Sequence, residues 1–257
     1  MSSILNTLFV STVIAVCITT LANTATTIYL HRALSHKAMT VKPALAWVFR
    51  LVIWLTTGIK PKEWVAVHRK HHAYTDTEGD PHSPVVLGWK KVQMSNVALY
   101  RVALKDTTII DKYARDLPDD KWDHRMFGHH KTGLGLGVLL LVVIFGPVQG
   151  LLAGFIHANI YLAVNAGVNA LGHHFGKRPY DNKATNLQWL AFMTMGEGLH
   201  NNHHAAPSSA RLSHKRSELD PGWWVISIFK SLRLLSLRFD DVRLTPAAKA
   251  SVKHLGD

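Results

Sequence analysis

Hydrophobic positions are unevenly distributed along the 257 residues. Two blocks, 1–30 and 132–172, contain no Asp, Glu, Lys or Arg, so all 46 formal charges sit in the remainder. Residues 4–30 form an apolar run of about 27 residues, roughly 40 Å as a helix, enough to cross a bilayer once. Residues 132–172 have room for two short spans, with Gly146-Pro147-Val148-Gln149-Gly150 as the turn between them. The pattern therefore predicts crossings at about 4–30, 132–147 and 150–172. Residues 43–59 are also apolar but carry Arg50, which is costly in hydrocarbon. Residues 60–131 hold thirteen Lys/Arg and ten Asp/Glu. The expected fold class is an all-α integral membrane protein, a single domain over 1–257. It has about three transmembrane helices, interfacial helices and a cytoplasmic helical cap built from about 60–131 and 173–257.

Charge and composition refine this picture. Residues 1–30 lack a basic start, and their apolar run is too long for a signal peptide, so they read as a retained anchor. The net charge of +12 fits basic loops on the cytoplasmic face in contact with membrane lipids. No nucleic-acid-binding module is recognisable. The single Cys17 excludes an intrachain disulfide and a cysteine zinc site.

The chemistry is concentrated in histidine. In His200-Asn201-Asn202-His203-His204, three imidazoles crowd five residues. Protonated together they would repel, so they are best held neutral by a metal. On a helix the three share one face, while Asn201 and Asn202 point elsewhere. The spacing recurs in His68-Arg69-Lys70-His71-His72, and a wider pair, His31 and His36, follows the first apolar run. Eight such imidazoles exceed the three protein ligands of a usual zinc hydrolase and suit two metals of higher coordination. The blander alternative is that some are helix-cap or interfacial polar residues. Soluble di-iron bundles use carboxylates and two Glu-x-x-His pairs, whereas only Glu197 and His200 have that spacing here, so Glu197 is expected behind the ligands. A shared site requires all clusters on one side of the membrane. Segment 43–59, between the first two, should then lie along the interface or dip partway in. The N-terminus would be outside; the alternative is a re-entrant first segment.

These residues resemble a known family. His31-Arg32-Ala33-Leu34-Ser35-His36, His68-Arg69-Lys70-His71-His72 and His200-Asn201-Asn202-His203-His204 are similar to the three histidine boxes of the membrane fatty acyl desaturases, most closely the Δ9, stearoyl-CoA-desaturase-like branch. Glu63-Trp64, Asp80-Pro81-His82, Gly88-Trp89, Val168-Asn169 with His173, Phe175-Gly176-Lys177-Arg178-Pro179-Tyr180-Asp181 and Gly196-Glu197-Gly198 extend the match over about 25–230. The resemblance implies two Fe ions held by His31, His36, His68, His71, His72, His173, His200, His203 and His204, with Asn169 reaching one iron through water. It implies O2 as co-substrate, an external electron donor and a cis double bond placed in a long acyl chain. Trp64 matches a residue at the bend of the substrate tunnel; an interfacial anchor is the other reading. Asp80, like Glu197, is expected behind the ligands. His82 matches a position outside the metal shell, and His157, mid-span, reads as a packed polar residue.

The implied partners are an acyl-lipid or acyl thioester (CoA or acyl carrier protein) and a separate electron carrier with its reductase. With no Cys cluster or fused haem domain in the chain, that carrier is a ferredoxin, rubredoxin or cytochrome b5-like protein. The implied location is a bacterial inner membrane with the active site on the cytoplasmic face. Animal acyl-CoA members carry an Arg-Asp pair before the second box, where this chain has Ala66-Val67, and have two spans before the first box where this chain has room for one. Both departures weaken the case for acyl-CoA. Competing functions are a di-iron membrane hydroxylase or alkane monooxygenase, and a His-rich membrane metal transporter or sensor, which would place its ligands inside the spans.

Overall fold

The computed structural model describes residues 2–254. Helix α1 (Ser2–Ala25) continues without a break into a wider π-helical stretch, Thr26–Ser35. A short strand β1 (Met39–Val41) leads to α2 (Pro43–Thr56) and α3 (Pro61–Tyr74), which are bent 89° from each other. Short α4 (Pro84–Leu87), α5 (Trp89–Ala103) and α6 (Ile109–Tyr113) follow, then a π turn at Asp123–Phe127. Helices α7 (His130–Phe145) and α8 (Pro147–Ala170) form a hairpin. The chain then runs through α9 (Gln188–Met193), α10 (His200–Ala205), α11 (Pro221–Ser231), β2 (Leu235–Leu237) and α12 (Pro246–His254). β1 and β2 pair antiparallel, Thr40 opposite Ser236, and tie the end of the first box region to the C-terminal part.

Two helical stretches, Ser3–Ser35 and Pro147–Ala170, are long and apolar enough to cross a membrane. α7, with 16 residues, is about 24 Å long and shorter than the hydrocarbon core. The hairpin breaks at Gly146, one residue before Pro147 opens α8, so the turn is tighter than the five-residue turn the sequence suggested. Large apolar side chains of α1, such as Ile4, Phe9 and Val13, are exposed, whereas Ser11, Ala15, Thr19 and Ala22 are buried. This inverts a soluble helix and is what lipid as solvent demands: small and polar residues mediate helix contact. Polar pairs link α1 and the start of the π-helical stretch to α8: Thr19 Oγ1 with His157 Nδ1 at 2.9 Å, Thr26 with the Tyr161 hydroxyl at 2.8 Å, and Asn165 Nδ2 donating to Asn23 Oδ1 at 2.9 Å. A β-carbon at Gly133 or Gly137 of α7 would strike the backbone of Trp54 or Leu55, so these glycines let α7 lie directly on α2.

Segment 43–59 does not separate the first two boxes. α2 packs on α1 and α7, and the sharp bend before Pro61 turns α3 back over the π-helical stretch. Arg50 reaches neither lipid nor a lone solvent position: its guanidinium donates to Asp120 at 2.6 and 3.0 Å and to Asp123 at 2.7 Å, over the ring of Phe127.

Candidate metal centre

The first box lies on the π-helical stretch, and this explains a spacing that an α-helix would not use. At 100° per residue, positions five apart point about 140° away from each other. With i→i−5 bonding, as in His36 N–H to His31 O at 3.2 Å, they stack instead, and the two rings lie 4.9 Å apart. Ser35 Oγ reinforces the wide turn by donating to Leu30 O at 2.8 Å.

α3 and α10 carry the other two boxes at i, i+3, i+4, and each helix serves two imidazole sets. One set is His31, His36, His68, His72 and His203; the other is His71, His173, His200 and His204. Within each set the facing nitrogens lie within 4.8 Å of one another. α3 gives its i and i+4 histidines to the first set and its i+3 to the second. α10 does the reverse. The nine histidines singled out from the sequence are therefore the members of these two sets.

Carboxylates behind the rings fix which nitrogen faces inward. His71 Nδ1 donates to Asp80 at 2.9 Å and His173 Nδ1 to Asp76 at 2.7 Å, and His31 Nδ1 lies 2.6 Å from Glu197 Oε2. A carboxylate only accepts, so Nδ1 of His71 and of His173 carries the proton and their Nε2 atoms offer lone pairs. Nε2 of His71 and of His173 is buried and meets no protein donor. In the five-membered set, a proton on His203 Nε2 could satisfy only one of its neighbours, His31 at 3.1 Å or His72 at 2.9 Å. A cation at each convergence point serves every nitrogen, so the residues fit a metal pair.

Electrostatics point the same way. Burial, and secondarily neighbouring imidazoles, hold His36, His68, His71, His72, His200, His203 and His204 well below the ordinary histidine pKa, so they are neutral at pH 7. Burial alone would raise Asp76 and Glu197, but the hydrogen bond from His173 keeps Asp76 low, and His31 with Arg32 keeps Glu197 low. Asp80 is raised by burial, although it also accepts from the backbone N–H groups of Asp76 and His82.

Asp80 accepts from His71 Nδ1, and Glu197 lies against His31 Nδ1. Asp76 was missed. Its only sequence signal is that His173, like the other inward-facing rings, needs an acceptor on Nδ1, and nothing local to His173 supplies one. Asn169 hydrogen-bonds His82 and lines a cavity of about 50 Å³ with Trp64, His68, His82 and Tyr100. Trp64 stacks on His68, centroids 4.9 Å apart and planes within 7°. His82 stacks on His71, and burial takes its pKa down to about 4. His157 has both nitrogens engaged, by Thr19 and by the Thr56 carbonyl, so no lone pair remains for a metal. His174 turns outward against Trp89 and Phe175.

The frame around the sets is also polar and buried. Arg32, inside the first box, is 1% exposed and donates to Asp220, to Ala210 O and to Met195 O. Asp220 in turn accepts from the N–H groups of Leu212 and Trp223 and opens α11. Gly196 has φ +109°, and a β-carbon there would collide with Asp220 and Arg32, so only glycine fits beside this bridge. Asn201 binds the 180–184 loop and Asn202 binds Leu212 O and Glu218. The two asparagines of the third box thus hold the loops that seat α10.

The fold and site define a helical membrane protein with two buried histidine clusters of metal-binding type beside its apolar helices. The chain belongs to the fatty acid desaturase family, whose model matches residues 6–225, and to its Δ9-desaturase-like branch. It is 31% identical to the Delta-9 desaturase-like 1 protein of Arabidopsis thaliana, over 85% of this chain and 72% of the relative. It is 30% identical to the sn-1 stearoyl-lipid 9-desaturase of Synechocystis, covering 86% and 67%. It is 28% identical to the hex-5-enoyl-[acyl-carrier protein] acetylenase of Moorena producens, covering 88% and 74%.

Proposed function

We propose that the chain is an O2-dependent, di-iron fatty acyl desaturase that introduces a cis double bond, of Δ9 type, into a long acyl chain. The observation carrying this reading is the convergence of five and four imidazole nitrogens in a chain of this family. In the balanced reaction two C–H bonds on adjacent methylenes break and one C=C bond forms. The two hydrogens, together with two electrons and two protons from outside, reduce one O2 to two waters. Bound iron supplies the one-electron O2 chemistry that acid–base side chains lack.

The chain's own residues hold, orient and exclude. His31, His36, His68, His72 and His203 would hold one iron. His71, His173, His200 and His204, with Asn169 through water, would hold the other. Asp76, Asp80 and Glu197 keep the Nδ1 protons in place and aim the rings. Trp64, rigid against His68 and beside Val67 and Tyr100, forms a wall of the bent acyl path and keeps bulk water away. In this reading α1, α7 and α8 cross the membrane, 43–59 dips partway in, and the boxes face the cytoplasm. Electrons come from a separate carrier of ferredoxin, rubredoxin or cytochrome b5 type. Edges of His36, His72 and His204 line an open cleft of about 620 Å³ through which such a carrier can approach.

Fatty acid profiling of cells with and without the chain, under iron-replete conditions, tests the proposal. The expected result is a new monounsaturated acid that vanishes in the His203→Ala variant. Hydroxylated chains in its place would make the protein a monooxygenase, and an unchanged profile despite iron loading would count against both.

A further inference from the structure

The apolar helices carry polar side chains, and their hydrogen bonds differ in kind. On α1, the hydroxyls of Thr12, Thr20 and Thr24 each donate to the carbonyl four residues earlier, so they can face lipid already satisfied. Asn23, Asn165 and His157 bond across elements, to Met193 O, to Asn23 Oδ1, and to Thr19 with the Thr56 carbonyl. Asn159 does neither. It is exposed and lies halfway along α8, twelve residues after Pro147 and eleven before Ala170. With α8 about 36 Å long, the amide falls near the middle of the hydrocarbon. One N–H donates to Phe155 O at 2.8 Å. Among the described residues nothing else meets this amide, so Oδ1 and the second N–H are left facing lipid. Its own helix offers Oδ1 no donor, because the backbone N–H groups there are already bonded to carbonyls.

The surface around Asn159 has the spacing of a helix-packing seam. Val148, Leu151, Phe155, Ala158 and Leu162 are all exposed and recur three and four residues apart. That repeat lets two helices interlock at a shallow left-handed crossing. Asn159 flanks the seam, and the exposed Ala158 and Ala163 near it are small enough for a second backbone to come close. The remaining faces of α8 are taken within the chain by α1, α7 and α5. The chemistry of the amide selects the occupant. A carboxamide is donor and acceptor at once, so it is complementary to another carboxamide. Two copies of one chain inserted with the same topology are related by a two-fold axis along the membrane normal. That axis sets each interface residue opposite its own equivalent at the same depth, so Asn159 meets Asn159. A helix of another protein would carry an amide at that depth only by coincidence.

Resting on the reading that α8 crosses the membrane, we infer that this face of α8 is the interface of a symmetric dimer of the chain, held by a reciprocal hydrogen-bond pair between the two Asn159 side chains. Each amide donates its free N–H to Oδ1 of the other. Phe155 and Leu162 pack about one turn to either side and keep the pair in apolar surroundings.

The test uses the full chain in membranes on a Cys17→Ser background, with single cysteines and a membrane-permeant oxidant. Ala158→Cys should form a disulfide-linked dimer, whereas Val13→Cys, on the exposed face of α1, should crosslink far more slowly. A second readout needs no cysteine chemistry: energy transfer between differently labelled copies in liposomes of rising lipid-to-protein ratio. Asn159→Leu should weaken association about tenfold, the scale of one or two interhelical hydrogen bonds. Leucine is at home in lipid, so the loss does not report failed insertion. Asn159→Gln keeps the amide and should restore most of the association. Equal crosslinking at 13 and 158 would overturn the inference. So would association that Asn159→Leu leaves unchanged, energy transfer that reports monomers at every ratio, or an Ala158→Cys product joined to a different protein. Reaction of Ala158→Cys with an impermeant reagent would count against the spanning reading itself, and the energy-transfer result would still decide self-association.

Discussion

His71 and His203 show how one side chain acquires its role. Each is the i+3 member of its box, and each crosses to the set that its own helix otherwise does not supply. Removing either should therefore weaken the set that it joins. His71→Ala and His203→Ala are expected to abolish desaturation and lower total iron per chain by about half, one of the two sites each, while membrane insertion is kept. Metal analysis of purified variants checks this, and two irons retained in either variant would break the assignment. His174→Ala should keep its iron because its ring faces Trp89 and Phe175. His157→Ala should keep its iron but lose about 1–3 kcal/mol of stability, since Thr19 and the Thr56 carbonyl lose their partner. Behind the rings, Asp76→Asn removes the carboxylate that orients His173. It is expected to weaken iron binding about 10–100-fold, the usual scale for such supporting groups, measured by chelator competition.

Among elements, the π-helical stretch and the α2–α3 bend do the positioning. The wide turn brings His31 and His36 together, and its buried Arg32 reaches across to Asp220 at the start of α11. Breaking a buried pair by removing one partner typically costs about 3–5 kcal/mol, because the other charge is left unpaired. Arg32→Met should lower the thermal midpoint of the detergent-solubilised protein accordingly, and a variant as stable as the parent would show the bridge to be dispensable. The bend brings His36 Nε2 within 2.7 Å of His68 Nε2, so α2 cannot separate the boxes across a bilayer. On a Cys17→Ser background, single cysteines replacing Lys37 and Lys62 should both resist an impermeant reagent in intact cells. Both should react after permeabilisation. Reaction of only one in intact cells is incompatible with a shared centre.

Taken whole, the molecule is a lipid-facing stem carrying a buried cluster of imidazoles. Seven of the nine histidines are held below their ordinary pKa, chiefly by burial. Unfolded, the same rings would titrate near pH 6.5. Below that pH the unfolded chain binds more protons than the folded one, so stability rises with pH in this window. The metal-free protein should thus keep full stability above about pH 6.5 and lose it steadily as the pH falls further toward the depressed folded values. Thermal unfolding between pH 8 and 5 checks the sign; greater stability at the acid end would exclude neutral, clustered imidazoles. Iron should bind at two per chain, and its removal should lower the midpoint at every pH, since ligands that bind only the folded state stabilise it.

Much of this was determined by the sequence alone. Charge-free runs of spanning length are unavoidable evidence of lipid, because no soluble fold would leave Ile4, Phe9 and Val13 exposed. The i, i+3, i+4 histidines of 68–72 and 200–204 are local in sequence and local on a helix, so their convergence was legible from spacing. Arg50 within 43–59 likewise announced that this segment needed a polar partner. Tertiary structure decided what depends on long-range contact. His31 and His36 share a face only because the backbone widens to a π-helix there, which the five-residue spacing does not dictate. Which imidazole joins which set, with His71 and His203 crossing over, follows from how α3 and α10 face each other. Asp76 lies 97 residues from His173, and Asp220 lies 188 from Arg32; neither partnership leaves any local signature, because each carboxylate is chosen by packing after the chain has folded.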